Sequence, residues 1–236
     1  MDLLERLNLP PCDKTRVPVK TLEEQLEADS KQKRLLSRHI ASMYLVSLLN
    51  EQTVRIRAYK DDDYSFQAVY VFEIELKAND QLTDFTELVH SAFPESTLLI
   101  LRYKDKTYLS GASKRINKLD KTRTVLEDSI WIEVPEGLQA QDIKEANLRE
   151  YYESLMRLLY RYKVLNVTGV FPAKDGEYKA SIKQYEQLTA QINKLKEEYS
   201  AASMRNEKMR IDEELYKQEQ ALSELIEEIS GGHNCG

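Results

Sequence analysis

Apolar residues in the first half of the chain recur in two different rhythms. From Thr21 to Asn50, Leu35, Leu36, Ile40, Met43 and Val46 fall at helical spacing, and Thr21 with Glu24 spells a capping box, which predicts one or two amphipathic helices. TVRIRAY at 53–59 alternates, and AVYVFEIELK at 68–77 runs almost uninterrupted; the two predict a strand pair, with KDDDYS as its turn. DQLTDFTELVHSAF at 80–93 predicts a helix stopped before Pro94. STLLILRYK and TYLSGASKR then predict a hairpin turning at Lys104–Lys106, and Ser129–Pro135 predicts a further strand.

Beyond residue 139 the period is helical again. Ile143, Leu148, Tyr151, Tyr152, Leu155, Leu158 and Leu159 predict a helix over 139–165 that closes the core. After Lys174 the apolar positions fall in heptads: Tyr185, Leu188, Ile192, Leu195 and Tyr199, then Leu215, Leu222, Leu225 and Ile229. The two runs are out of register, so the chain either continues as one long helix with a stutter near 200–212 or folds back as a hairpin, the form the reading favours. The expected fold is α+β: a mixed or antiparallel sheet of about five strands flanked by helices, plus a C-terminal α-helical coiled-coil arm or hairpin. The expected divisions are an extended N-terminal arm at 1–20, where Pro10, Pro11 and Pro18 oppose helix, a globular domain at 21–172, the arm at 173–230 and a flexible tail at 231–236.

Composition narrows the class. Seven glycines and six prolines in 236 residues leave no room for a glycine-rich linker or a many-turned sandwich. A net charge of −6 argues against a protein that coats nucleic acid over its whole surface. Cys12 and Cys235 provide neither a disulfide framework nor metal-ligand spacing, and Cys12 is expected to be structural. With no apolar run near 18 residues and Asp2, Glu5 and Asp13 early in the chain, the expected location is cytoplasmic, with no membrane contact.

At the VFEIELK strand the chain resembles the bacterial family known as domain of unknown function number 4391. The resemblance runs from about Leu7 to Leu159, on LNLPP, KRLLSRHIASMYLVSLLN, VFEIELK, STLLILRYKDKTYLSGASKRIN and SIWIEVP. It implies companionship with helicases and DNA methyltransferases in restriction-type and phage-defence clusters, and it carries no catalytic residue. Tyr44 stands where the family pattern leads one to expect tryptophan, and the segment beyond Lys174 lies outside that resemblance.

Two clusters carry candidate chemistry. Glu75 and Lys77 spell the E-x-K half of a restriction-nuclease signature, in which a carboxylate holds Mg²⁺ and a lysine steadies the attacking hydroxide; Asp62, flanked by Asp61 and Asp63, is the acid to complete it, with Glu73 on the same strand face. The opposing expectation is an ordinary solvated strand face. Arg102, Lys104, Lys106, Lys114, Arg115, Lys118, Lys121 and Arg123 form a basic stretch interrupted only by Asp105 and Asp120, with Tyr103 and Tyr108 available to stack on bases. The alternatives are an acidic partner or lysines guarding a sheet edge.

His39, His90 and His233 lie at no metal spacing, and neither G-x-G-x-x-G nor a Walker sequence occurs. Tyr151, Tyr152, Tyr160 and Tyr162 suit either a partner surface or the core. The heptad positions Leu188, Ile192, Leu195, Leu215, Leu222, Leu225 and Ile229 must be buried, on themselves or on a partner. The sequence therefore points to a non-enzymatic adaptor of a DNA-processing complex, without cofactor or metal, docking through its coiled coil on a helicase, a methyltransferase or a second copy, with the 102–123 cluster as its candidate nucleic-acid contact. The alternative is a Mg²⁺-dependent nuclease using Asp62, Glu75 and Lys77, and a coil-dimerised regulator stays open.

Overall fold

In the computed structural model, residues 2–140, 143–172 and 178–230 are described, and two compact units emerge, Met1–Leu159 and Tyr160–Gly236. The expected tail at 231–236, with His233 and Cys235, lies outside the described residues, as does Lys174.

The first unit begins with α1 (Leu3–Arg6), β1 (Pro11–Arg16), α2 (Val19–Gln25) and α3 (Ser30–His39). The first twenty residues, expected as a short helical turn followed by an extended arm, supply that turn as α1 and, in place of the arm, an edge strand and the start of α2. Thr21 is no cap, because α2 has already begun behind Pro18; Asp29 caps α3, its carboxylate accepting the Lys31 and Gln32 amides while Gln32 reaches back to its own amide.

From Ile40 the chain departs from the helical expectation. Ile40–Leu49 is strand β2, and the partner of the VFEIELK segment. IASMYLVSLL carries the branched and aromatic residues that suit a pleated surface, and pairing along its whole length outweighs a period near 3.6. The expected strand at 53–59 is instead α4 (Glu51–Val54), capped by Asn50 and stopped by Arg55 at φ 58°, before the two-residue pair β3 (Tyr59–Lys60) and β4 (Ser65–Phe66).

Strand β5 (Val69–Leu76) leads through α5 (Leu82–Ser91) to β6 (Ser96–Tyr103), then β7 (Lys106–Ile116) and β8 (Thr124–Glu133). The main sheet has six strands, one more than expected, in the order β1-β2-β5-β6-β7-β8. All pairs are antiparallel except β5–β6, the pair joined by the α5 crossover.

Both sheet faces are covered. On one, Phe72, Ile74, Leu76, Leu99, Leu101 and Tyr108 pack with Leu22, Leu36, Phe85 and Val89 from the helices. On the other, α6 (Leu148–Thr168) brings Tyr152, Met156 and Leu159 over Gly111, where a β-carbon would lie 2.6 Å from the Met156 sulfur. Glycine there lets the helix approach β7 closely. The Tyr152 hydroxyl accepts the Ala112 amide at 3.0 Å and shares its proton between the Thr97 and Ala112 carbonyls at 2.8 and 2.9 Å, satisfying backbone groups at the margin of the β6–β7 ladder. All four candidate interface tyrosines, Tyr151, Tyr152, Tyr160 and Tyr162, are buried.

The second unit holds the end of α6, then α7 (Lys179–Ala201) and α8 (Arg205–Ile229), joined by three residues. Lys196 Nζ lies 2.9 Å from Glu219 Oε1, although along one continuous helix they would be about 34 Å apart at ~1.5 Å per residue. The chain therefore reverses at 202–204. Among the described residues no helix is long and apolar enough to cross a membrane.

Candidate functional site

Register places the E-x-K segment. Across β2, Tyr44 faces Glu73 and Ser42 faces Glu75; across β6 their neighbours are Ile100 and Arg102. No second carboxylate adjoins either acid on the neighbouring strands. Asp62 sits in the β3–β4 turn, where the Asp63 carbonyl accepts the Ile116 amide at 2.7 Å. Glu75 registers with Arg102, and Arg102 with Thr107. Thr107 and Ile116 lie near opposite ends of β7, nine residues or about 30 Å apart at ~3.3 Å each.

The structure thus does not bring Asp62 to Glu75 and Lys77, whereas a shared Mg²⁺ needs oxygen ligands about 2.1 Å from one point. Lys77 Nζ instead donates to the Ser37 carbonyl at 2.9 Å. Among the described residues no three His, Cys, Asp or Glu side chains are grouped to hold a metal ion. These residues do not fit the ion, and no catalytic step is derived through it.

What the strand end builds is a charge cluster. Glu73 accepts Lys14 Nζ and Arg102 Nε, each at 2.7 Å, and Asp2 lies 3.9 Å from Arg102. Burial alone would raise the Glu73 carboxyl, but the hydrogen bonds and charges of Lys14 and Arg102 outweigh it and hold the group below its ordinary value. Asp61 has a comparable job. Its carboxylate accepts the Tyr59 hydroxyl and the Asp63 and Tyr64 amides, which draws it down, and Arg149 lies 3.2 Å away while stacking over Tyr64 and Tyr59 at 4.3 and 5.1 Å. The aspartate triplet shapes a turn, and Arg149 clamps it. Sequence reasoning missed Arg149, which lies 88 positions from Asp61 with no local pattern to mark it.

The basic stretch is divided in the same way. Arg102, Lys104 and Lys106 stand at one end of the β6–β7 hairpin; Lys118, Lys121 and Arg123 stand in the β7–β8 connection at the other. Most are neutralised locally: Arg102 by Glu73, Lys106 by Glu133, Arg115 by Glu127, Lys118 by Asp63, and Arg123 by Glu27 and Asp120. Lys104 occupies the turn at φ 54° and lies over the Tyr103 ring. Lys121 is exposed in the same connection as Leu119.

Lys114 is buried, donating to the Phe93 and Glu95 carbonyls at 2.8 and 2.6 Å. Burial brings its ammonium down to about 7. His90 lies fully buried between the Thr97 and Ser110 hydroxyls at 2.6 and 3.0 Å, and burial followed by the Lys114 charge pushes it well below the ordinary histidine value. His39, also buried, meets the Leu35 and Asp80 carbonyls and stacks on Phe85. Lys114 and His90 are satisfied core groups. Cys12, expected to be structural, is exposed on β1.

In the helix pair, Ile192, Ile211 and Leu215 form a core with Leu195, Ala202 and Leu222 half-buried against it. Leu225 and Ile229 are buried, and Leu188 is half-buried. Except for Tyr199, the heptad residues are therefore buried or half-buried within the chain. Left outside are Tyr199, Met204, Met209 and Tyr216, which are 38, 68, 57 and 65% exposed. A shallow cavity of about 370 Å³ at the reversal is lined by Tyr199, Ser203, Arg205, Lys208, Met209 and Asp212.

The first unit is thus an α+β sheet protein in which the predicted acidic and basic residues are mostly held by partners within the chain, and the second is a helix pair with exposed apolar residues at its reversal. The chain belongs to the family described as domain of unknown function (DUF4391), which matches residues 7–222. The match runs well past Leu159, so α7 and most of α8 are part of the family pattern, unlike the shorter span on which the resemblance was read. No curated protein and no solved structure matches the chain.

Proposed function

We propose that the protein is a non-enzymatic accessory subunit of a bacterial, cytoplasmic DNA-processing complex of the restriction or phage-defence type, acting as an adaptor. In this reading α7 and α8 form a short antiparallel coiled coil, and its distal end is the handle. The observation that carries the reading is the contrast between a seam buried internally at Ile192, Ile211 and Leu215 and large apolar side chains left in water at Met204 and Met209, near partly exposed Tyr199. Clustered exposed apolar groups at one end of an otherwise charged surface mark an interaction site. Contact with DNA is assigned to the partner, because the basic stretch of the sheet is split and largely neutralised.

The test is co-purification of the full chain with a DNA helicase or DNA methyltransferase from the same gene cluster. A stoichiometric complex is expected, lost in a Met204→Lys, Met209→Lys double variant whose thermal unfolding is unchanged. Mg²⁺-dependent DNA cleavage that disappears in Glu75→Ala would replace this account with the nuclease one.

A further inference from the structure

The distal end of the helix pair joins exposed cations to exposed apolar side chains. The segment Met204–Arg210 carries Arg205, Lys208 and Arg210 against Glu207 alone, a net of +2 on a chain whose total is −6. Among the described residues neither Arg205 nor Arg210 has a carboxylate within ion-pair distance, and Lys208 lies over the Tyr199 ring at 5.3 Å. Elsewhere in the same pair, Lys194 meets Glu198 and Lys196 meets Glu219. Cations beside exposed methionines, around a cavity lined by Tyr199, Ser203, Arg205, Lys208, Met209 and Asp212, make a surface that is apolar at its centre and, with Arg205, Lys208 and nearby Arg210 against Asp212, carries an excess of positive charge at its rim.

We infer that this end of the helix pair receives an acidic amphipathic segment of a partner protein, a helix whose apolar anchors enter between Tyr199 and Met209 while its carboxylates meet Arg205, Lys208 and Arg210. The inference rests on the adaptor reading and names the chemistry of what the adaptor holds. Methionine suits such a surface, since its unbranched, polarisable chain adapts to the shape of an inserted helix. A continuous polyanion such as DNA fits less well: Asp212 on the cavity wall and Glu213 and Glu214 after it would repel its unbroken row of charges, whereas a short amphipathic segment can turn an apolar residue to Asp212 and its carboxylates to Arg205, Lys208 and Arg210.

Fluorescence anisotropy of the full chain with a labelled amphipathic peptide tests this. One peptide carries leucines at helical i, i+3, i+4, i+7 spacing flanked by glutamates; the control has lysines in their place. The glutamate peptide should bind at least about tenfold more tightly than the lysine peptide, and Arg205→Glu with Lys208→Glu and Arg210→Glu should reverse the preference. Equal binding of both peptides, or indifference to the triple substitution, overturns the inference. So does competition by an oligonucleotide, or a concentration-dependent dimer in sedimentation that the triple substitution abolishes, which would make a second copy the occupant. If the helicase or methyltransferase still co-purifies with the triple variant, the acidic-segment inference fails and the adaptor reading stands. If the glutamate peptide binds as expected and neither enzyme co-purifies, the adaptor reading fails and this surface keeps its assignment.

Discussion

The central sheet and the reversal of the helix pair differ in what their charged residues meet. On the sheet, Glu73 sits between Lys14 and Arg102, Asp61 caps a turn under Arg149, and Lys114 is spent on two carbonyls. At the reversal of α7 and α8, Arg205 and Arg210 reach into water beside exposed Met204 and Met209. A group already satisfied inside its own chain has little left for a ligand, because a new contact must first replace an existing one. The difference supports the handle proposed on the helix pair, while the charged residues named on the sheet already have partners within the chain.

If that division is right, substitutions in the sheet should register as stability and substitutions at the reversal as binding. The largest effect falls on Phe85, fully buried and stacked on His39: Phe85→Ala should cost about 3–5 kcal/mol in chemical denaturation. Next comes pH. Lys114 in the folded chain loses its proton near 7, against 10.5 when unfolded, so the unfolded state binds the extra proton between those values and stability rises with pH across that window. The gain should be about 2–4 kcal/mol, and Lys114→Met should flatten the slope. His90 acts in the same direction at lower pH: held neutral when folded, it withdraws stability as pH falls below 6.5.

Tyr152→Phe strands the Ala112 amide and the Thr97 and Ala112 carbonyls in the core and should cost about 2–3 kcal/mol, seen as a lowered denaturation midpoint. Glu73→Gln should cost only about 1 kcal/mol, since Lys14 and Arg102 reach solvent and can be hydrated. A loss of catalysis far out of proportion to that cost would return the strand end to candidacy as an active site. Smallest of all, Met204→Ser with Met209→Ser should change stability by less than about 0.5 kcal/mol while weakening partner association.

The sequence made much of this architecture visible, and the failures are physical. The 3.6-residue period found α5, α6 and the helix pair because each buries one continuous stripe. It misplaced β2, where Ile40, Met43 and Val46 fit a helical wheel yet are held by pairing with a strand some thirty residues later. The E-x-K pattern of Glu75 and Lys77 was legible; that Ser42 and Tyr44, not acids, stand across from Glu75 and Glu73 depends on register, which no local pattern encodes. The basic stretch misled because proximity along β7 is distance in space. The heptad seam was legible as well, but its covering within the chain required the reversal at 202–204, which neither glycine nor proline marks.

Hydrogen exchange on a complex of the full chain with the proposed helicase or methyltransferase partner, set against the free chain, tests the central claim most directly. The account predicts slowed exchange confined to the α7–α8 reversal, about residues 199–216, with the amides of β5 and of the β6–β7 hairpin unchanged. Slowed exchange at Glu73–Lys77, with the reversal unaltered, would contradict it.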